Sequence, residues 1–296
     1  MRYLLTIDMS PDCPKIDLEK MDFQAIKKAM LALNDGLAIE EKYDILVSNY
    51  LEFEMEILRQ ATQLMLCLPL DYHDMFTSRI GFDRKMVNLL TAAKLYVDHL
   101  SHHVGEIMGS AAKRDVKALF SEQYDLSKEY RFMEALRNHV QHRGLPVHSV
   151  QFSTHAEGSD AERNLIYSME LTSQKLYLRE DQRFKRQVLE EIPEKIDLKI
   201  STRVYIERMS RVHASVREIV GSSLLDYRVL VEKAIKSYQD SYQEEVLGLY
   251  AWSLAGEEVL EKIPLLLEWD DVRLKLIKEN PELVNLHQRY VTSKIK

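Results

Sequence analysis

One stretch of the chain constrains the fold more than any other. Between residues 39 and 68, apolar side chains recur in steps of three and four: Ile39, Tyr43, Leu46, Tyr50, Phe53, Ile57, Ala61, Leu64 and Leu68. This period is that of one face of a long amphipathic α-helix. Pro69 follows the stripe, so the helix is expected to end at or before it.

A second stripe of the same period follows the expected connection Ile80-Gly81-Phe82. Its members are Val87, Leu90, Ala93, Val97, Leu100, Val104 and Ile107, and Gly109 is expected to close the helix. Two long amphipathic helices joined by a short loop predict an antiparallel pair.

Other elements complete a mainly α chain. Only 9 glycines and 7 prolines occur in 296 residues, so tight turns are scarce and long helices are favoured. A helix is expected at 22–33, ended by Asn34-Asp35-Gly36, and others at 115–122 and from Asp125 or Ser127 to the Gly144–Pro146 region. The expected fold class is mainly α, with a four-helix-bundle core, a small β-hairpin and a C-terminal helical region.

The expected division of the chain is into four consecutive segments. Residues 1–36 hold an N-terminal strand and a helix, and residues 37–145 form the helical bundle. Residues 146–179 form a β-hairpin, because Val150 and Phe152 alternate with polar residues and 165–171 alternate strictly. Residues 180–296 are a C-terminal helical region, which includes a helix at 224–249. The hairpin is expected to pair with the N-terminal strand.

The residues with the clearest chemical meaning lie near the end of the fourth bundle helix. Arg137 is followed by Asn138, and His142 comes four residues after Asn138. Histidine transfers protons near neutral pH, and arginine binds phosphate oxygens through a planar, permanently charged fork. The segment from 131 to 148 is basic. It contains three arginines (Arg131, Arg137 and Arg143) and three histidines, and its only acidic residue is Glu134.

This arrangement resembles the Arg-Asn-x-x-x-His form of the motif of the HEPN superfamily (higher eukaryotes and prokaryotes nucleotide-binding). The resemblance covers the motif and the helix order of residues 37–145, about a third of the chain. It implies a helical bundle, a homodimer, and metal-independent cleavage of RNA to a 2′,3′-cyclic phosphate and a 5′-hydroxyl. It also implies that Arg137, Asn138 and His142 are catalytic, with no metal and no cofactor.

Further expectations follow from the same resemblance. We expect Arg131, His139 and Arg143 to bind RNA, and two copies of the motif to face each other across the dimer. Relatives of this kind serve in toxin–antitoxin or anti-phage defence systems, so an antitoxin or another protein partner is also expected. One geometric point opposes a simple site, because Arg137 and His142 diverge by about 140° on an ideal helix, whereas Asn138 and His142 share a face.

Charge and cysteine content limit the other function classes. The formal net charge is -7, so a protein that coats nucleic acid non-specifically is disfavoured. Cys13 and Cys67 form no metal-binding pair and suggest no disulfide framework. No apolar run is long enough for a signal peptide or a membrane span, so we expect a cytoplasmic protein without a membrane partner.

Three alternatives stay open. Arg and His near a helix C-terminus are favoured by the helix dipole, so the motif can be an ordinary helix end in a non-catalytic interaction module. The chain can also be a nucleotide-binding partner of a nucleotidyltransferase, as some relatives of the family are. The third alternative is a metal site on His99, His102, His103 and Glu106, although a solvated helix face explains the same spacing.

Overall fold

The computed structural model describes residues 1–7, 13–66, 71–158, 163–242 and 248–292. Within these ranges the chain is mainly α-helical, with eight α-helices and two small antiparallel sheets, which confirms the expected mainly α class. No helix in the described ranges is long and apolar enough to cross a bilayer.

The helices are α1 (Lys20–Leu66), α2 (Tyr72–Met108), α3 (Ser110–Leu126), α4 (Lys128–His142), α5 (Lys175–Arg179), α6 (Arg186–Glu191), α7 (Leu198–Tyr242) and α8 (Glu268–Glu279). The strands are β1 (Arg2–Ile7), β2 (Ile16–Leu18), β3 (Ser149–Glu157), β4 (Asn164–Gln174), β5 (Lys195–Asp197), β6 (Leu249–Ala255) and β7 (Glu258–Pro264).

The chain divides into two compact units. The first contains Met1–Lys42, Asp98–Lys117 and Ser215–Pro281, and the second contains Tyr43–Val97, Ala118–Ala214 and Glu282–Lys296. Each unit therefore groups residues from distant parts of the sequence, whereas the sequence alone suggests consecutive segments.

Two glycines expected in connections lie inside helices. Helix α1 continues through Asn34-Asp35-Gly36, and α2 continues through Gly81. At Gly36 a Cβ atom would lie 2.9 Å from Leu224 Cδ1, and at Gly81 it would lie 3.1 Å from Glu56 Oε1. Both glycines allow close packing, so the expected breaks at these positions are wrong. The expected end of α2 at Gly109 is confirmed, because the helix ends at Met108 and Gly109 has a φ of 94°.

The first unit contains a four-stranded sheet in the order β2-β1-β6-β7. Strand β1 pairs with β6, so the expected pairing of the N-terminal strand with the hairpin after the bundle is wrong. The hairpin of β6 and β7 is also missing from the sequence-based description, which places a helix up to residue 249. Helix α7 reaches only Tyr242 in the described residues, and Leu249 begins β6.

The second unit contains the expected hairpin and the motif helix. Strands β3 and β4 pair from Ser149 with Thr172 to Glu157 with Asn164, and β5 pairs with the far end of β4. The core of this unit includes the His213 ring, which stacks on the Tyr43 ring at a centroid distance of 3.7 Å. Helix α4 packs on α7 through Tyr130 and Tyr205, whose ring centroids are 5.0 Å apart. This contact fixes the helix that carries the motif.

Candidate functional site

Helix α4 begins and ends where the local sequence predicts. The Ser127 hydroxyl accepts a hydrogen bond from the Tyr130 backbone N–H at 3.2 Å, which caps the helix start. At the other end, the backbone N–H groups of Arg143 and Gly144 both donate to the His139 carbonyl. The motif therefore occupies the last turns of a well-capped helix.

Arg137 is buried and held within the second unit. Its Nη1 lies 2.9 Å from Glu134 Oε2, and its Nη2 donates a long hydrogen bond of 3.4 Å to Asn138 Oδ1. Its Nε is buried and has no hydrogen-bond partner among the described residues. The guanidinium thus neutralises a carboxylate of its own helix.

Tyr205 extends this ion pair to α7. Its hydroxyl donates to Glu134 Oε1 at 2.6 Å. Complete burial, followed by the negative charge of Glu134, raises the pKa of Tyr205 well above its usual value, so the phenol stays protonated. Glu134 therefore receives hydrogen bonds from both Arg137 and Tyr205, and this network ties α4 to α7.

Asn138 and His142 are both exposed and lie four residues apart on α4. Side chains at this spacing are neighbours on one helix face. Arg143, the residue after His142, is also exposed, and its positive charge lies at the helix C-terminus, where cations are favoured. The structure thus brings Asn138 and His142 to one surface with Arg143 beside them, and it does not bring Arg137 to that surface.

His139 forms a second buried pair. Its Nδ1 lies 2.7 Å from Asp181 Oδ2, and both side chains are almost fully buried. Burial raises the pKa of Asp181, but the hydrogen bond with His139 and that from the Arg183 backbone N–H outweigh it, so the pKa of Asp181 is lowered overall. A Cβ atom at Gly144 would lie 2.9 Å from His139 Nε2, so the turn after α4 closes directly over this imidazole.

Two of the three expected RNA-binding residues are occupied internally. His139 is buried against Asp181, so its expected contact with RNA does not fit this arrangement. Arg131 bonds to Glu191 Oε2 at 2.8 Å, and its Nη1 donates to the carbonyl oxygens of Tyr124 and Asp125 near the end of α3. The ion pair joins α4 to α6. The two other hydrogen bonds join α4 to α3, because they go to carbonyl oxygens in the last turn of α3, which have no partner within that helix. Arg143 alone of the three is exposed.

His148 is a polar residue near this region whose environment the sequence did not reveal. It is half-buried, and its Nδ1 accepts hydrogen bonds from the Gln174 backbone N–H at 2.8 Å and from the Ser173 hydroxyl at 3.1 Å. Burial is the main cause that lowers its pKa to about 4, and electrostatic interactions with His139 and Arg79 act in the same direction. The ring is therefore neutral at pH 7 and carries its proton on Nε2.

The sequence contained a weak signal for His148. Arg143 and His148 repeat the spacing of Arg137 and His142, although no Asn follows Arg143. Pairing of β3 with β4 brings Ser173 and Gln174 to this histidine, and the exposed Tyr177 ring lies 4.9 Å from it. Such a placement depends on the hairpin register and cannot be derived from spacing along the chain.

The alternative metal-binding histidines have other partners. In the first unit, His103 Nδ1 lies 2.8 Å from Asp35 Oδ1, and His102 lies 3.7 Å from Glu106. Burial is the main cause that lowers the pKa of His103, which disfavours its charged form. Among the described residues, no three His, Cys, Asp or Glu side chains come together as metal ligands.

Comparison with known proteins gives no family for this chain. No protein-family model matches it, and no curated protein or solved structure matches it. The HEPN resemblance therefore depends on the motif and on helix order, and it stays a prediction.

Proposed function

We propose that this chain is a metal-independent endoribonuclease of the HEPN type, acting as a cytoplasmic homodimer in a toxin–antitoxin or anti-phage defence system. One observation carries the proposal: Asn138 and His142 stand exposed on one face at the C-terminal end of α4, with Arg143 beside them. These are a proton-transfer group, an amide and a phosphate-binding cation within six residues.

The roles follow from the chemistry of RNA. One His142 imidazole takes the proton of a ribose 2′-hydroxyl, whose oxygen attacks the adjacent phosphorus atom. The bond from phosphorus to the 5′-oxygen breaks, and that oxygen receives a proton from the partner's His142. The products are a 2′,3′-cyclic phosphate and a 5′-hydroxyl, and Arg143 stabilises the phosphorane charge.

Arg137 has a different role in this proposal from the one that the motif alone suggests. Its guanidinium is paired with Glu134, and its Nη2 contacts the Asn138 amide oxygen. Arg137 is therefore a positioning residue, which orients Asn138 and holds the end of α4 on α7. Because the buried guanidinium neutralises Glu134, substitution of Arg137 is expected to lower stability as well as activity.

The test is RNA cleavage by the purified full chain in EDTA. We expect His142→Ala to lower the cleavage rate by about 100-fold or more, which is the usual contribution of a general acid or base. His155→Ala is the matched control, because His155 is exposed on β3 and has no role in the proposal. Equal activity of wild type, His142→Ala and His155→Ala would assign the cleavage to another site or to a contaminant.

A second function, that of a non-catalytic interaction module, is favoured by the burial of Arg137 in an internal ion pair. In that case the motif serves only to attach α4 to α7. The same assay separates the two functions, because a folded protein that cleaves none of several RNAs supports the interaction module.

A further inference from the structure

The exposed side of α1 in the second unit is unusually apolar. Between residues 51 and 66, Leu51, Met55, Leu58, Met65 and Leu66 are between 42% and 73% exposed. The opposite side of the same helix, which includes Phe53 and Leu64, is buried in the unit. This part of α1 therefore has two apolar faces, of which only one is covered by the described residues.

The exposed residues have the spacing of a helix–helix seam. Leu51, Met55, Leu58, Thr62 and Met65 follow one another in steps of four, three, four and three. This average period of 3.5 residues lets a second helix pack along the whole stripe. We call these five residues, with Leu66, the α1 seam.

The area of the α1 seam reaches the lower limit for a specific interface. A single exposed leucine is ordinary, but several large apolar side chains exposed along one helix face usually mark a contact surface. The seam contains five leucine and methionine side chains. If each exposes about 100 Å² of apolar surface, one copy offers about 500 Å² to a partner. Two copies would bury about 1,000 Å², which reaches the size of the smallest specific interfaces.

Charges beside the seam favour a second copy in antiparallel orientation. Glu52 follows Leu51 and Arg59 follows Leu58, so both lie on the same side of the seam, and their side chains are 54% and 58% exposed. If Met55 packs against the partner's Leu58, Glu52 comes opposite the partner's Arg59, and the two-fold axis repeats the pair. Parallel copies would place Glu52 near the partner's Val47, so that Glu52 would meet no cation of the partner.

We propose that the α1 seam binds the α1 seam of a second copy of this chain in antiparallel orientation. The evidence for this interface is the exposure, spacing and charge of α1, and it is independent of RNA cleavage. A seam dimer that cleaves no RNA would therefore support this proposal and refute the proposed nuclease. It consists of apolar contacts along Leu51–Met65 with a Glu52–Arg59 ion pair at each end of the central contact. Glu52 already contacts Lys85 and Arg59 already contacts Glu56 within one copy, so the new pairs extend existing charge networks.

Sedimentation equilibrium of the full chain tests the seam. We expect the wild type to be a dimer at micromolar concentration, and Leu58→Glu to weaken the dimer by at least 100-fold with unchanged helix content. Leu31→Glu is the matched control, because Leu31 is also exposed on α1 but lies outside the seam. A monomeric wild type, or a Leu58→Glu variant that dimerises as well as the wild type, would overturn the proposal.

A charge exchange tests the orientation. Glu52→Arg and Arg59→Glu are each expected to weaken the dimer about tenfold, because each places like charges together twice. The double variant restores opposite charges across the interface, so its dimer is expected to be within about threefold of the wild type. A double variant weaker than either single variant would overturn the antiparallel arrangement, and thermal melting of each variant controls for changes within one copy.

Discussion

The buried pair of Arg137 and Glu134 gives the sharpest energetic prediction. Their side chains are 10% and 18% exposed, and the Tyr205 hydroxyl also donates to Glu134. Arg137→Met keeps the volume of the side chain but leaves Glu134 without its cation. Loss of one partner of a buried ion pair costs about 3–5 kcal/mol. Because the Tyr205 hydrogen bond stays in place, we expect a loss near the lower end, about 3 kcal/mol.

Urea unfolding followed by circular dichroism at pH 7 measures this loss. The double variant Arg137→Met with Glu134→Gln removes both charges, so it is expected to be more stable than Arg137→Met alone. Arg143→Met is the matched control, since Arg143 is exposed and its substitution is expected to cost less than about 0.5 kcal/mol. A cost below about 1 kcal/mol for Arg137→Met, or simple additivity in the double variant, would refute this description of the buried pair.

Three further predictions concern the same region. The pKa of His148 is lower in the folded chain than in the unfolded chain, so the unfolded state binds more protons between pH 6.5 and about 4. The free energy of unfolding is therefore expected to fall as the pH drops through that window. His148→Asn keeps an acceptor for the backbone N–H but does not titrate, so its urea midpoint should depend less on pH than that of the wild type, and equal pH dependence would contradict the assignment. Gly144→Ala is expected to cost about 1–3 kcal/mol, because a Cβ would approach His139 Nε2, whereas Gly221→Ala meets no atom within 4 Å and should be neutral or stabilising in thermal melts. Ser127→Ala removes the cap of α4 and should cost about 1 kcal/mol in urea unfolding, and an unchanged midpoint would show that the hydroxyl contributes nothing.

The long helices could be predicted because their cores are periodic along the sequence. The stripe from Ile39 to Leu64 is mostly buried, and Ser127, Gly109 and Gly144 delimit elements as expected. Gly36 and Gly81 led to wrong predictions of helix ends. A glycine can end a helix or can make room for a close neighbour within one, and the sequence alone does not distinguish these two roles. Only the positions of Leu224 and Glu56 distinguish the two cases.

The four-stranded sheet of the first unit was harder to predict from the sequence than the long helices. Strand β1 pairs with β6, more than 240 residues away, and sequence spacing contains no information on such a pairing. The alternation of Leu249, Ala251 and Ser253, with Gly256 in the turn, is a hairpin signal, but it is short and follows a long helical pattern.

The candidate site could be located from the sequence but not resolved into roles. Spacing alone indicated that Asn138 and His142 share a helix face while Arg137 points elsewhere. The pairing of Arg137 with Glu134, and of His139 with Asp181, depends on α7 and on the turn before α6, which pack on α4 only in the folded chain.

The most direct test of the proposed function is cleavage of a synthetic RNA in EDTA beside the same sequence carrying 2′-O-methyl groups, with the product ends identified by mass spectrometry. The proposed mechanism predicts 2′,3′-cyclic phosphate and 5′-hydroxyl ends from the RNA, no cleavage of the methylated strand, and loss of cleavage in His142→Ala. Cleavage of the methylated strand, or ends bearing a 5′-phosphate, would contradict attack by the 2′-oxygen and with it the role assigned to His142.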